Sequence, residues 1–195
     1  MKNVIKTAIF AVIGVLSLSN LTAQSKSSAT MKERIVMVGG AEMFSSKNII
    51  DNAVNSKAHT TLVAAVKAAD LVATLQSAGP FTVFAPVNNA FGNLPAGTVE
   101  TLLKPENKGT LTKILTYHVV SGRYSFNAIK ELIKKGGGKA ELKTVNGGKL
   151  YFMSNGSHNI IVKDENGGTA DIVTYDVNQS NGIIHSIDAV LMPKM

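Results

Sequence analysis

Three features of the sequence predict an α+β fold, with helices gathered in the first part of the chain and strands in the second. Apolar residues recur at helical spacing between Ile49 and Ile133, and from Glu141 onward short β-branched runs are separated by Asn-Gly or Gly-Gly turns. Between the first helices, Phe81 to Phe91 changes from a strand period to a helix start within a few residues. Helical and strand signals segregated in this way are the mark of α+β architecture. At 195 residues, 45% apolar and 17% charged, the chain suits one globular domain. It has no cysteine, which excludes a disulfide framework, a thiolate nucleophile and any Cys-ligated metal site.

The first residues read as an address. Lys2 and Lys6 precede an apolar run from Ala8 to Leu18 in which Ser17 is the one polar residue, and Leu21-Thr22-Ala23 stands before a polar stretch. This is signal-peptide architecture over 1–23, with cleavage expected after Ala23 and an uncleaved anchor as the alternative, because Leu21 is large for its position. The run is shorter than the roughly 20 residues a spanning helix needs, and no later segment approaches that length. Residues 24–46 are expected to form an N-terminal extension, with a β-like run from Arg34 to Val38 ended by Gly39-Gly40. The domain itself is expected over 47–194.

Within it, Asn48 to Val54 begins a helix, and Leu62, Val63, Val66 and Ala69 recur at helical spacing. Asp70 is placed to cap a short helix holding Leu71, Val72 and Leu75. Phe81, Val83 and Ala85 alternate with Thr82 and Phe84, so the strand should carry buried groups on both faces. Pro86 stops it, and Asn88 or Asn89 is expected to cap the helix carrying Ala90 and Phe91. Thr98 is the expected cap of the next helix. Leu111, Ile114 and Leu115 stripe the helix leading into Tyr117, and Phe126, Ile129, Leu132 and Ile133 stripe another that Gly136 ends. Runs at 150–153, 160–162 and 170–175 then read as a meander of hairpins. Asn181-Gly182 signals a turn into a last core strand, Ile183 to Leu191.

Two of these segments carry a family pattern. Phe81-Thr82-Val83-Phe84-Ala85-Pro86-Val87-Asn88-Asn89-Ala90-Phe91 resembles the first motif of the fasciclin (FAS1) domain family, FTVFAPTNEAF. Asn181-Gly182-Ile183-Ile184-His185-Ser186-Ile187-Asp188-Ala189-Val190-Leu191-Met192-Pro193 resembles its second, NGVIHVIDxVLxP, and Tyr117-His118 resembles its Tyr-His element. Phe84, Pro86, Asn88, Phe91, His185 and Asp188 are the motif residues expected to be structural. Val87 stands where the family has Thr or Ser, and Asp70 where it usually has Gly. The resemblance covers about Lys47 to Pro193 and implies a single-domain secreted protein of bacterial type, with helices packed on a wedge-shaped, mixed and antiparallel β-sandwich. It also implies an adhesion or binding module of the envelope or matrix, with Tyr117, His118, Asp176 and Val177 at the positions linked to adhesion in animal relatives. The same residues also read as fold residues, and that structural reading stands ahead of the adhesive one.

Catalytic chemistry finds little to work with. No two of His59, His118, His158 and His185 lie at metal-ligand spacing, so neither a metal nor another cofactor is expected. His185 and Asp188 would point to opposite faces of a strand, and Gly-x-Ser-x-Gly is absent. An envelope hydrolase with a cleft joining two or more of His118, Asp176, His185 and Asp188 stays as the alternative function. Charge is uneven: 104–149 holds ten basic residues against Glu106, Glu131 and Glu141, a net +7, while the rest of the chain from Gln24 carries −2. Nucleic acid is not expected, since the chain is read as exported and has no tryptophan or basic-aromatic interleaving. A surface or matrix protein or an acidic polysaccharide suits the charge, with Lys130, Lys134, Lys135 and Lys139 as the expected patch. Periplasm, cell surface and exterior are all consistent locations.

Overall fold

The computed structural model describes residues 34–156 and 158–194; the signal-peptide reading lies outside them. Helices and short strands come first: β1 (Ile35–Val38), β2 (Ala41–Phe44), α1 (Ile49–Ala53), α2 (Thr60–Ala68), α3 (Val72–Gln76), β3 (Phe81–Pro86), α4 (Asn88–Gly92), α5 (Thr98–Leu102) and α6 (Lys108–Tyr117). After β4 (Val119–Ser121) and α7 (Phe126–Lys135), the chain is strand: β5 (Lys139–Lys143), β6 (Lys149–Asn155), β7 (Asn159–Lys163), β8 (Thr169–Gln179) and β9 (Gly182–Ile187). The α+β reading holds.

Seven strands form one sheet in the order β4-β3-β9-β8-β7-β6-β5, with β3 and β9 parallel and the other pairs antiparallel. Its two ends approach each other. Val120 bridges Thr144, and the Val145 N–H donates to the Val119 carbonyl at 2.7 Å. The bend comes from β8, whose register slips twice between Ile172 and Val177 and whose Asp176 has φ of 57°. A sheet folded back in this way encloses one core, which α7 shares, and leaves its other face for α1, α2, α3 and α6.

β3 separates the two cores, as its alternation requires. Val83 and Ala85 join a first core with Ile49, Leu62, Val66, Leu75, Leu115 and Ile184. Phe84 points the other way, into a second core with Phe152, Ile129, Leu150, Ile160 and Ile187. Thr82 is fully buried, donating to the Gly122 carbonyl at 2.7 Å and accepting from the Tyr124 N–H at 2.9 Å. A buried hydroxyl is tolerated here because both of its roles are filled.

Several local expectations change. The β1–β2 hairpin, expected within an extension, buries Val38 and Met43 in the first core. Asn88 does not cap its own helix; its Oδ1 accepts from the Thr61 N–H at 3.1 Å and its Nδ2 donates to the Lys57 carbonyl at 2.8 Å, so it caps α2. The residue before α4 is Val87, which makes no side-chain cap. Gly97, at φ of 80°, replaces Thr98 as the cap of α5. Asp70 has φ of 55° and makes an exposed ion pair with Lys108, leaving α3 without a side-chain cap. That left-handed backbone explains why glycine suits the position. β9 ends at Ile187, although Leu191 beyond it is fully buried. The hairpin turn is Ser180-Asn181, and Gly182 opens the strand. A Cβ on Gly182 would lie 2.3 Å from the Phe81 carbonyl oxygen, so β3 can approach no other residue this closely.

Candidate functional site

Tyr117 ends α6 because that helix directs its apolar stripe inward, and the ring is carried into the second core with no exposed surface. Its hydroxyl donates to the Lys149 carbonyl at 2.7 Å and accepts from the Glu165 N–H at 3.0 Å. Burial pushes the phenol up to about 12. His118 follows, also buried: Nδ1–H donates to the Ile114 carbonyl at 2.8 Å, and Nε2 accepts from the Leu191 N–H at 3.0 Å. These bonds require one neutral tautomer. Val177 is buried in the first core, and Asp176 caps α7 by accepting from the Phe126 N–H at 2.8 Å. Three of the four positions expected to meet a partner are therefore enclosed, and the fourth is committed to a helix start.

His185 is held in the same manner. Nε2–H donates to the Tyr124 carbonyl at 2.8 Å, Nδ1 accepts from the Asp176 N–H at 3.4 Å, and the ring stacks on Phe84 with 5.6 Å between centroids. Asp188 lies beyond the strand on the surface, accepting from the Asp171 N–H at 2.8 Å. An apolar cavity beneath α2 is lined by His118 but by none of Asp176, His185 and Asp188. The cleft a hydrolase would need is thus not assembled from these residues, and no cluster of three or more His, Asp or Glu among the described residues could hold a metal.

Burying neutral imidazoles makes stability depend on pH. The fold drives the His118 pKa down from 6.5 to about 4, chiefly by burial, against the opposing pull of the Ile114 carbonyl and Asp164. Burial also lowers His59 and His185. Between pH 6.5 and 4 the unfolded chain binds a proton at His118 that the folded chain refuses, so stability is full above 6.5 and falls as pH drops toward 4. The linkage amounts to roughly 3 kcal/mol for His118 alone. Denaturant unfolding at pH 5 should show about 2 kcal/mol of that lost relative to pH 7; identical midpoints would show that His118 titrates normally.

Lysines divide between two surfaces. Phe126, Ile129 and Ile133 turn α7 onto the second core, leaving Lys134 and Lys135 exposed, with Lys130 Nζ 6.0 Å from the Phe126 ring centroid. Lys139 was expected in one patch with Lys130, Lys134 and Lys135, but it begins β5. There Ala140 and Leu142 face the core with α7, so Lys139 points to the opposite side of the strand, its Nζ 3.9 Å above the Tyr151 ring centroid. Strand register adds residues the sequence reading did not single out. Lys143 lies opposite Lys149, Glu141 opposite Tyr151, and Tyr151 opposite Lys163, all on the outer face. Lys149 pairs with Glu141 at 2.8 Å. The period-two pattern of Lys139, Glu141 and Lys143 carried the signal, but placing Lys163 beside it required the hairpin register.

Comparison with known proteins agrees with this architecture. A family model described as the Fasciclin domain matches residues 57–193. Protein sll1483 of Synechocystis sp. is 44% identical over 163 residues, covering 84% of this chain and 83% of that protein. Immunogenic protein MPB70 of Mycobacterium bovis is 37% identical, covering 71% of this chain and 65% of its own. A solved FAS1 domain pair from the insect cell adhesion molecule fasciclin I superposes with a TM-score of 0.66 at 17% identity, covering 75% of this chain and 51% of the other.

Proposed function

Because the chain belongs to the fasciclin domain family, we propose that it is an exported, non-catalytic binding module that holds an acidic polysaccharide of the envelope or matrix on the outer face of β5, β6 and β7. One observation carries this reading: Lys139, Lys143, Lys149 and Lys163 share that face around Tyr151, opposed by Glu141 and Asp171 on the face and by Glu165 near Lys149. Strands about 4.8 Å apart bring these charges within a screening length of one another at moderate salt. The Tyr151 ring at the centre holds the Lys139 ammonium over its face and so keeps that charge on the outer side of the sheet.

Export rests on the leader pattern of 1–23, and no helix among the described residues is long and apolar enough to cross a membrane. The non-catalytic reading rests on His118 and His185, whose ring nitrogens are all used in internal hydrogen bonds. Adhesion through a matrix protein at Tyr117 and Val177 is disfavoured, since a partner would have to open the cores to reach them.

Sulfated-polysaccharide resin tests the reading. The protein should be retained at low ionic strength and largely released by roughly 0.5 M salt, as screening shortens below the spacing of the charges. Passage through that resin as through an uncharged one would contradict it.

A further inference from the structure

The helical layer contains a second feature, independent of the lysine face. An apolar cavity of about 110 Å³ lies between α1, α2, α3 and the first-core side of β3 and β9. Since about 10–15 Å³ admits one water, it has room for a run of carbons. We propose that this cavity binds an anionic amphiphile, with the apolar chain inside and the anionic head on Lys67.

Charge distribution along the wall selects this class. Among the described residues, Lys67 is the one charged residue lining the cavity. It is exposed in the last turn of α2, one turn beyond Val63, which lines the same wall, so the ammonium stands where apolar wall gives way to solvent. Val54, Thr74 and Val145, also exposed, line the cavity as well, so its wall reaches solvent. Deeper in, the wall is uncharged. His59 is buried with Nδ1 against Ser56 Oγ at 2.9 Å, and burial lowers its pKa, which keeps the ring neutral at ordinary pH. A neutral hydrocarbon would leave Lys67 unused, and a polyanion could not enter.

The test follows fluorescence of cis-parinaric acid with the full protein, displaced by hexadecanoate or by hexadecan-1-ol. Saturable binding is expected, with hexadecanoate the better competitor by roughly twofold to fivefold, the worth of one exposed ion pair. Lys67→Met keeps the aliphatic stem and should weaken parinarate itself and abolish that preference, while the hexadecan-1-ol inhibition constant, corrected for the probe's affinity in each variant, stays unchanged. Val63→Trp, at a half-buried position on the wall, should abolish saturable binding altogether. Phosphatidylglycerol vesicles distinguish two sources of the amphiphile: co-flotation sensitive to Val63→Trp assigns a membrane lipid, and its absence with parinarate binding intact assigns a free fatty acid. Lack of saturable binding, equal displacement by acid and alcohol, or a preference that survives Lys67→Met would overturn the proposal. Lys67 is exposed, so its variant remains a fair test even if Val63→Trp does not fold.

Discussion

Phe84→Ala is expected to lower the stability of the protein by about 3–5 kcal/mol, the range for truncating a large aromatic in a packed core. Phe84 has no exposed surface, and its ring touches both Phe152, at 5.2 Å between centroids, and His185, at 5.6 Å. The site cannot readily collapse to refill the space, because the flanking β3 backbone is fixed by β9 on one side and by Val83 and Ala85 packing into the other core. Denaturant unfolding should show a lower midpoint with an unchanged slope. A curve superimposing on the wild type would mean that the second core does not depend on this ring.

Asn181→Ala should cost a similar amount, about 3–5 kcal/mol, through orphaned polar groups and not through a cavity. Asn181 is buried in the β8–β9 turn, where its Oδ1 accepts from the Ile49 N–H at 3.0 Å and its Nδ2 donates to the Leu75 carbonyl at 2.7 Å and the Ser77 carbonyl at 2.8 Å. One side chain thus joins the start of α1 and the end of α3 to the sheet. Arg123 clamps the same turn from outside, donating to the carbonyls of Gln179 and Gly182. Asn181→Asp keeps the acceptor for Ile49 but leaves a carboxylate facing two carbonyls, so it should be no better tolerated. Wild-type melting of either variant would show that the turn is held by its backbone alone.

The residues that could be read from sequence are those whose partners lie close in the chain. Ser125 caps α7 through the Ala128 N–H, and Asn48 caps α1 through the Asp51 N–H, both three residues ahead. The two-faced burial of β3 was legible because its alternation has no polar face except Thr82. What was missed depends on distant pairing. Asn88 looks like the cap of its own helix, yet it reaches 27 residues back to α2. Lys139 looks like a loop residue because Gly136, Gly137 and Gly138 precede it, and only pairing with Met153 reveals that it has crossed to the outer face. Lys163 falls outside the basic window altogether, and the β6–β7 register brings it beside Tyr151.

Polyanion binding by the outer face of the sheet is tested most directly by comparing two triple variants in a salt gradient on sulfated-polysaccharide resin. Lys139, Lys143 and Lys163→Gln removes the sheet lysines that are not paired with Glu141, whereas Lys130, Lys134 and Lys135→Gln removes those of α7. Both sets lie on surfaces where substitutions usually change stability by less than about 0.5 kcal/mol, so melting temperatures should stay near wild type. The sheet variant should elute near the start of the gradient, and the helix variant should keep most of the wild-type retention. Loss of retention in the helix variant with the sheet variant unaffected, or full retention in both, would contradict the assignment of that face.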